Sequence, residues 1–437
     1  MRKYEAYVDS EIEWVGEMPS HWKKIRHKNV FNKVQDIVGE DSSKYDVLSL
    51  TIRGVIKRDI ESNIGKMPAS FDGYQIVKPN SLLLCLFDID VTPRCIGYVN
   101  QDGITTSAYT NIKVKNNTFY AKYYYYWFLM LDMDKTLLHL SKNLRNSIGI
   151  TEFMALTTIY PPVNEQKKIS CYLDKKIKEI DDTVALMNIY IEKVLENRQS
   201  IITEAVTKGL NPNVKMKDSG VEWIGEIPEH FEKTLIKYIS DINMGQSPSS
   251  EDVNVLGDGL PFLQGNAEFG EFYPTPKLFS TSINKQSKLN DILLSVRAPV
   301  GAMNISNQIF GIGRGLCSIT PKIEMKFLWY WLIGYNEYLK SFSTGSTFEA
   351  ISIDDIKNFV ICVPEKNEQL EIVCFLDYKI GQIDNVKKQL KLQIQKLKEY
   401  RQSLIYEAVT GKIDVREMER EVSEVSEDGC GYIGEGV

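Results

Sequence analysis

Apolar residues recur in a four-three step along Glu165 to Val206: Leu173, Ile177, Ile180, Val184, Met187, Ile191, Val194, Ile201 and Ala205. One place in that series is charged, Arg198. The run holds 42 residues with no Gly and no Pro, and predicts a single helix roughly 60 Å long. A helix with so narrow an apolar seam needs a partner helix. Glu368 to Val409 repeats the pattern at an offset of 203, with Leu376, Ile380, Ile383, Leu390, Ile394, Leu397, Leu404 and Ala408. Arg401 falls where Arg198 stood. Lys387 interrupts the seam where Val184 stood, with Val386 beside it.

A second repeat precedes each helix. Asp9-Ser10 through Trp14, Gly16, Pro19 and His21 matches Asp218-Ser219 through Trp223, Gly225, Pro228 and His230 at an offset of 209. The order is lead-in, intervening segment, long helix, then the same again. A chain so duplicated folds about a pseudo-two-fold axis, and its long helices then pair antiparallel. Lys208-Gly209-Leu210-Asn211-Pro212 supplies the Gly and Pro expected where the first helix stops.

The intervening segments carry strand-like runs and turns. Ser81 to Leu86 and Asp291 to Val296 read as buried strands, and Asp72-Gly73, Asp102-Gly103, Asp258-Gly259 and Gly313-Arg314-Gly315 as turns. Lys122 to Leu131 and Lys326 to Ile333 read as short aromatic helices at corresponding places. That correspondence favours packing in the core over base stacking for Tyr123 to Phe128. The expected fold class is α+β: two domains of mixed α/β structure separated by two long antiparallel coiled-coil-like helices.

Charge changes the picture only locally. The 437 residues carry a net −6, yet residues 411–437 hold eight acids against three bases, and residues 23–164 hold 18 Lys/Arg against 13 Asp/Glu. Residues 232–367 hold 12 against 14. Only the first segment is basic enough to suggest a polyanion partner by itself. Seven scattered cysteines without a C-x-x-C pair read as reduced thiols, with neither disulfide nor zinc framework. Acids follow Met1-Arg2-Lys3-Tyr4 where a signal peptide would be apolar, and the longest apolar run, Tyr123 to Leu131, is too short to span a membrane. The expectation is a soluble, cytoplasmic protein.

The paired lead-ins, the Pro-x-x-x-Glu-Gln entry and Arg-Gln-Ser…Glu-Ala-Val-Thr exit of each helix, Gly245-Gln246-Ser247-Pro248-Ser249, and Leu294-Ser295-Val296-Arg297-Ala298-Pro299-Val300-Gly301 all coexist here. Together, from about Val8 to Val415, they resemble the specificity subunit of type I restriction–modification systems. The resemblance implies two target recognition domains, 1–164 and the linker-plus-domain segment 207–367. Spacer helices 165–206 and 368–409 and an acidic tail 410–437 complete the chain. Each domain would read one half of a bipartite double-stranded DNA target. Two methyltransferase subunits, together with restriction/translocase subunits, would dock on the chain. The first segment departs from the pattern, with Cys85-Leu86-Phe87-Asp88-Ile89-Asp90-Val91-Thr92-Pro93-Arg94 where the second has Ser-x-Arg-x-Pro-x-Gly.

Catalysis finds no footing in the residues. There is no G-x-x-x-x-G-K-[ST] loop, and Tyr160-Pro161-Pro162 lacks the Asn or Asp of an amino-methyltransferase tetrad. Four histidines, two of them in the lead-ins, make no metal pattern with these cysteines. No cofactor, metal or catalytic residue is expected. Polar loop residues are the better candidates for DNA contact: Arg53, Lys57, Arg58, Arg94, Asn143 and Arg145 in the first segment, and Gln246, Gln264, Asn266, Arg297 and Arg314 in the second. Arg suits guanine O6/N7, Asn and Gln suit adenine N6/N7, and Lys positions on phosphate. Arg297 leads the set, between a buried strand and a Pro-Gly turn. The alternatives are a protein–protein scaffold built on the helical pair, and the recognition component of a related methyltransferase–nuclease system.

Overall fold

Each intervening segment folds around a four-stranded sheet. The computed structural model describes residues 2–60, 68–141, 146–342 and 350–417, and the chain divides into two compact units, Met1–Leu186 with Leu392–Val437 and Met187–Lys391. In the first unit the strands run in the spatial order Phe31–Val34, Thr110–Val114, Leu82–Leu84, Ile96–Tyr98, all antiparallel. In the second the order is Ser240–Met244, Leu316–Pro321, Ile292–Ser295, Met303–Ile305. The two sheets have one topology, although their sequences have diverged. A smaller β layer accompanies each. In the first unit it is the hairpin Leu48–Thr51/Gly54–Lys57 and the pair Gln75–Val77/Gly103–Thr105, joined by a parallel bridge from Val47 to Ile104. In the second it is a sheet in which Leu260–Leu263 lies parallel to Gly311–Ile312.

The aromatic runs are core helices, Ala121–Met133 and Met325–Gly334. Tyr123, Tyr124, Trp127, Phe128, Phe327 and Trp331 are fully buried, each contributing about 2–3 kcal/mol of apolar burial. One tyrosine within each of these helices is anchored to a long helix. Tyr126 Oη donates to Asp174 at 2.6 Å and Tyr330 Oη to Asp377 at 2.7 Å. Lys122 and Lys326 pair with the same two carboxylates at 3.0 and 2.5 Å.

The long helices are Val163–Lys208 and Lys366–Val409. Each starts with the duplicated Gln as a clasp. Gln166 donates to the Pro161 carbonyl at 2.7 Å and accepts from the Tyr120 amide at 2.8 Å; Gln369 does the same with Pro364 and Glu324. Gly209 and Gly411 end them with φ of +69° and +74°, the left-handed turn that only Gly adopts without strain. In the first unit Ile169, Leu173, Ile177 and Ile180 share a core with Leu404, Ile405, Ala408 and Val409. In the second, Ile202, Ala205 and Val206 share one with Ile372, Val373, Leu376 and Ile380. Within each unit the start of one helix thus packs with the end of the other, which is the antiparallel pairing expected.

Two details of the seam differ from the sequence reading. Ile202 rather than Ile201 is fully buried, because the last turns pack on the sheet domain as well as on the partner helix. Val386 is exposed and Lys387 keeps the seam place, its aliphatic stem covering apolar surface while its ammonium reaches water.

Candidate nucleic-acid interface

In the second unit three loops meet at one end of the four-stranded sheet. The ladder continues past its regular strands: the Gly245 amide donates to Leu316 and the Val296 amide to Gly315, both at 2.9 Å. The Gly313 amide donates to Leu263 at 2.8 Å, bringing in the end of the parallel strand. Glycine permits this crowding. A Cβ on Gly245 would lie 2.1 Å from the Gly313 carbonyl oxygen, and one on Gly313 would lie 2.9 Å from the Gln264 Cα. No other residue fits at either place.

This end carries the predicted readers of the second segment. Gln246, Gln264, Arg297 and Arg314 have exposed side chains, and Asn266 begins the 3-10 turn Asn266–Glu268. Ser295 pairs with Leu316, so the same register sets Arg297 opposite Arg314. Ser295 Oγ donates to the Arg297 carbonyl at 2.9 Å, Arg297 bridges to Ala350, and the Arg314 amide donates to Ser247 Oγ at 3.2 Å. Gln264 Nε2 donates to Ser247 Oγ at 3.0 Å, which orients its amide. Backbones are held and side chains are presented. Among the described residues neither arginine has an ion-pair partner. Two uncompensated guanidinium groups beside two amides form a surface suited to the base edges of a DNA groove.

The first unit places its candidates otherwise. Arg53 stands exposed in the two-residue turn between Thr51 and Gly54. Arg94 holds that turn in place. Its guanidinium donates to the Ile52 carbonyl at 2.7 Å, to the Ile96 carbonyl at 3.2 Å and to Tyr125 Oη, whose ring it also faces. Lys57 and Arg58 lie at the opposite end of the hairpin, Lys57 paired with Asp46 at 2.8 Å and the Arg58 amide on the Val47 carbonyl. Asn143 and Arg145 lie outside the described residues. So the structure gathers the second set and divides the first.

The strand register gives the same counterpart of Arg297 as the motif alignment. Ile148 N–H donates to Leu86 O in the first unit and Ile351 N–H to Val296 O in the second, so Phe87 stands where Arg297 does. Gln35, exposed just beyond the strand Phe31–Val34, is the polar side chain at that end which motif reading missed. Gln35 is found only through the strand register, since no motif marks its loop.

The remaining polar groups serve packing. His21 and His230 bond to Glu165 and Glu368 at 2.8 and 2.7 Å, fixing each lead-in to the start of a long helix. Trp22 Nε1 and Tyr4 Oη add donors to Glu165. Arg198 and Arg401 approach Asp384 and Asp181 at 3.4 and 3.2 Å, close in charge but without an aligned Nε hydrogen bond. Burial raises the Cys95 thiol to about 12, with Asp132 adding to the effect. No described group of His, Cys, Asp or Glu is arranged to hold a metal ion, and no described helix is long and apolar enough to cross a membrane.

Comparison with known proteins places these features. Residues 228–396 match the family model described as the type I restriction modification DNA specificity domain. The chain is 32% identical over 391 residues to the protein named as the MjaX type I restriction enzyme specificity subunit of Methanocaldococcus jannaschii, covering 88% of this chain and 83% of that one. It is 24% identical over 276 residues to the EcoBI specificity subunit of Escherichia coli, covering 58% and 57%. A chain from a solved type I R-M system has the same fold, with a TM-score of 0.74 at 23% identity over 91% of this chain and 99% of that one. The HsdS subunit of Thermoanaerobacter tengcongensis shares it at 0.53 and 22%, over 91% and 98%.

Proposed function

Because this chain belongs to the family of type I restriction–modification specificity subunits, we propose that its two units read the two halves of one bipartite DNA target. The observation that carries this is the glycine-packed end of the second sheet, where Gln246, Gln264, Arg297 and Arg314 are presented together. Residues 1–164 and 207–367 are the recognition domains, and helices 165–206 and 368–409 are the spacer. The readers differ in sequence, so the half-sites differ and the target is asymmetric. Antiparallel pairing of the helices puts the two half-sites on opposite strands, with an unspecified gap between them. Asn143 and Arg145 belong to the same proposal for the first half-site, together with Arg53, Lys57 and Arg58. Arg94 acts there by positioning Arg53.

Methyl transfer and cleavage belong to partner subunits, two methyltransferase subunits and the restriction/translocase subunits. Apolar side chains on the outer helix faces support such docking. Leu186, 67% exposed, and Tyr378, 64% exposed, are such side chains. The test is a methylation map of the host genome with and without the gene. Loss of one asymmetric, gapped, methylated motif is the expected result. An unchanged map in a host whose methyltransferase is active would refute the reading.

A further inference from the structure

The first unit carries bases at several places where the second has acidic, polar or apolar residues. Strand registers match Lys23–Arg26 to Glu232–Leu235 and Phe31–Val34 to the start of Ser240–Met244. The Lys115 amide on Val30 O matches that of Lys322 on Ile239 O. Position by position, Lys23 replaces Glu232, Arg26 replaces Leu235, Lys33 replaces Ile242 and Lys113 replaces Thr320. The shared lysines also differ in their partners. In the second unit Lys237 donates to Asn358 at 2.9 Å and Lys322 pairs with Asp241 at 2.6 Å. In the first, Asn32 stands in place of Asp241, leaving Lys115 without that carboxylate.

Arg26, Lys28 and Lys33 line a shallow cavity of about 380 Å³ with Ile150, Thr151 and Met154. All three cations are exposed. Glu11 pairs with Lys24 at 2.6 Å, and Glu152 accepts from the Gly149 amide at 3.2 Å. Like charges set side by side without counter-charges destabilise a fold unless a polyanion neutralises them.

We propose that this face grips the phosphate backbone of duplex DNA without reading sequence, so that the first unit anchors the duplex more strongly than the second. The inference rests on the DNA-reading function proposed above. The face begins at Lys33, next to Val34, and extends back along the strand Phe31–Val34, a length of ~13 Å. A duplex carries one charge per ~1.7 Å of axis, so about seven phosphates pass within that length.

The test uses the full chain assembled with its methyltransferase, and the variant R26A/K28A/K33A. Affinity for duplexes with and without the target is followed between about 50 and 200 mM salt. Each lost phosphate contact lowers the salt slope by about 0.9, so the expected drop is about 2 to 3 with the methylated motif unchanged. R26K/K28R/K33R, which keeps the charges, should retain the wild-type slope. An unchanged slope in the alanine variant overturns the proposal. So does loss of the methyltransferase from the complex, which would make the face a protein-docking surface. If the wild type shows no preference for any target, the reading function itself fails, and the slope on random duplex still decides whether the face grips phosphate.

Discussion

Arg297 combines a fixed backbone with an exposed, uncompensated guanidinium, so its removal should be felt locally. Arg297→Ala is expected to cost about 1–3 kcal/mol against duplexes carrying the correct second half-site, and nothing at the first. Binding to targets altered in one half-site at a time measures this; equal loss at both would mean a damaged fold. A different residue governs acid stability. His27 packs among Phe31, Phe128 and Phe153 and donates Nδ1–H to the Phe153 carbonyl, while its Nε2 has no partner. Burial lowers its pKa from 6.5 to about 4. The folded state therefore favours neutral imidazole, and stability holds above pH 6.5. It falls as the pH drops from 6.5 toward 4, by on the order of 2–3 kcal/mol. Ile236 occupies the equivalent place in the second unit. His27→Ile should abolish this part of the pH dependence, as denaturant melts at pH 7 and pH 5 would show. The sequence displayed both residues but neither environment. Arg94, likewise selected as a reader, has partners at Ile52 and Tyr125, remote along the chain, which spacing alone could not show.

Elements were legible to the degree that they are periodic. The long helices emerge from apolar spacing and their Gly stops, and the structure extends them by only a turn or less at each end. Short strands inside diverged segments gave no such signal, and their common order appears only through hydrogen-bond registers. The glycine-packed loops are the most exacting of these elements. Gly245→Ala drives a Cβ into the Gly313 carbonyl and should cost about 1–3 kcal/mol of stability. It should also lose the second half-site, read by melts and by binding together; wild-type behaviour in both would show that the loops do not need their close approach. The helices make a separate prediction. Adding four residues to each long helix, one helical turn or ~6 Å, should lengthen the gap of the methylated motif by about two base pairs and leave both blocks intact. Altered blocks with an unchanged gap would remove the spacer role.

At the scale of the whole chain, function divides by unit. Exchanging residues 211–363 for the matching segment of a relative should replace one block of the methylated motif and preserve the other, which a genome-wide methylation map reads directly. Change in both blocks would mean that the units do not read independently. The duplication was evident from sequence because the scaffold was copied with few changes. The unequal charge of the two units was only partly evident. A local excess of bases in residues 23–164 showed in the composition, but the gathering of Arg26, Lys28 and Lys33 around one cavity required the fold.

The first lead-in also meets the segment that follows the second long helix. Tyr7 Oη donates to the Gly411 carbonyl at 3.1 Å, the Asp414 amide donates to Arg2 at 2.9 Å, and Arg416 covers the Tyr4 ring. In the second unit the continuous linker runs through the corresponding place, with Gly209 against Phe231 where Gly411 meets Trp22. The two junctions between halves are thus built alike, one continuous in the chain and one held by non-covalent contacts. For a lineage under pressure to vary its targets, that arrangement is combinatorial: a few interchangeable halves, joined at either junction, generate as many specificities as there are pairs.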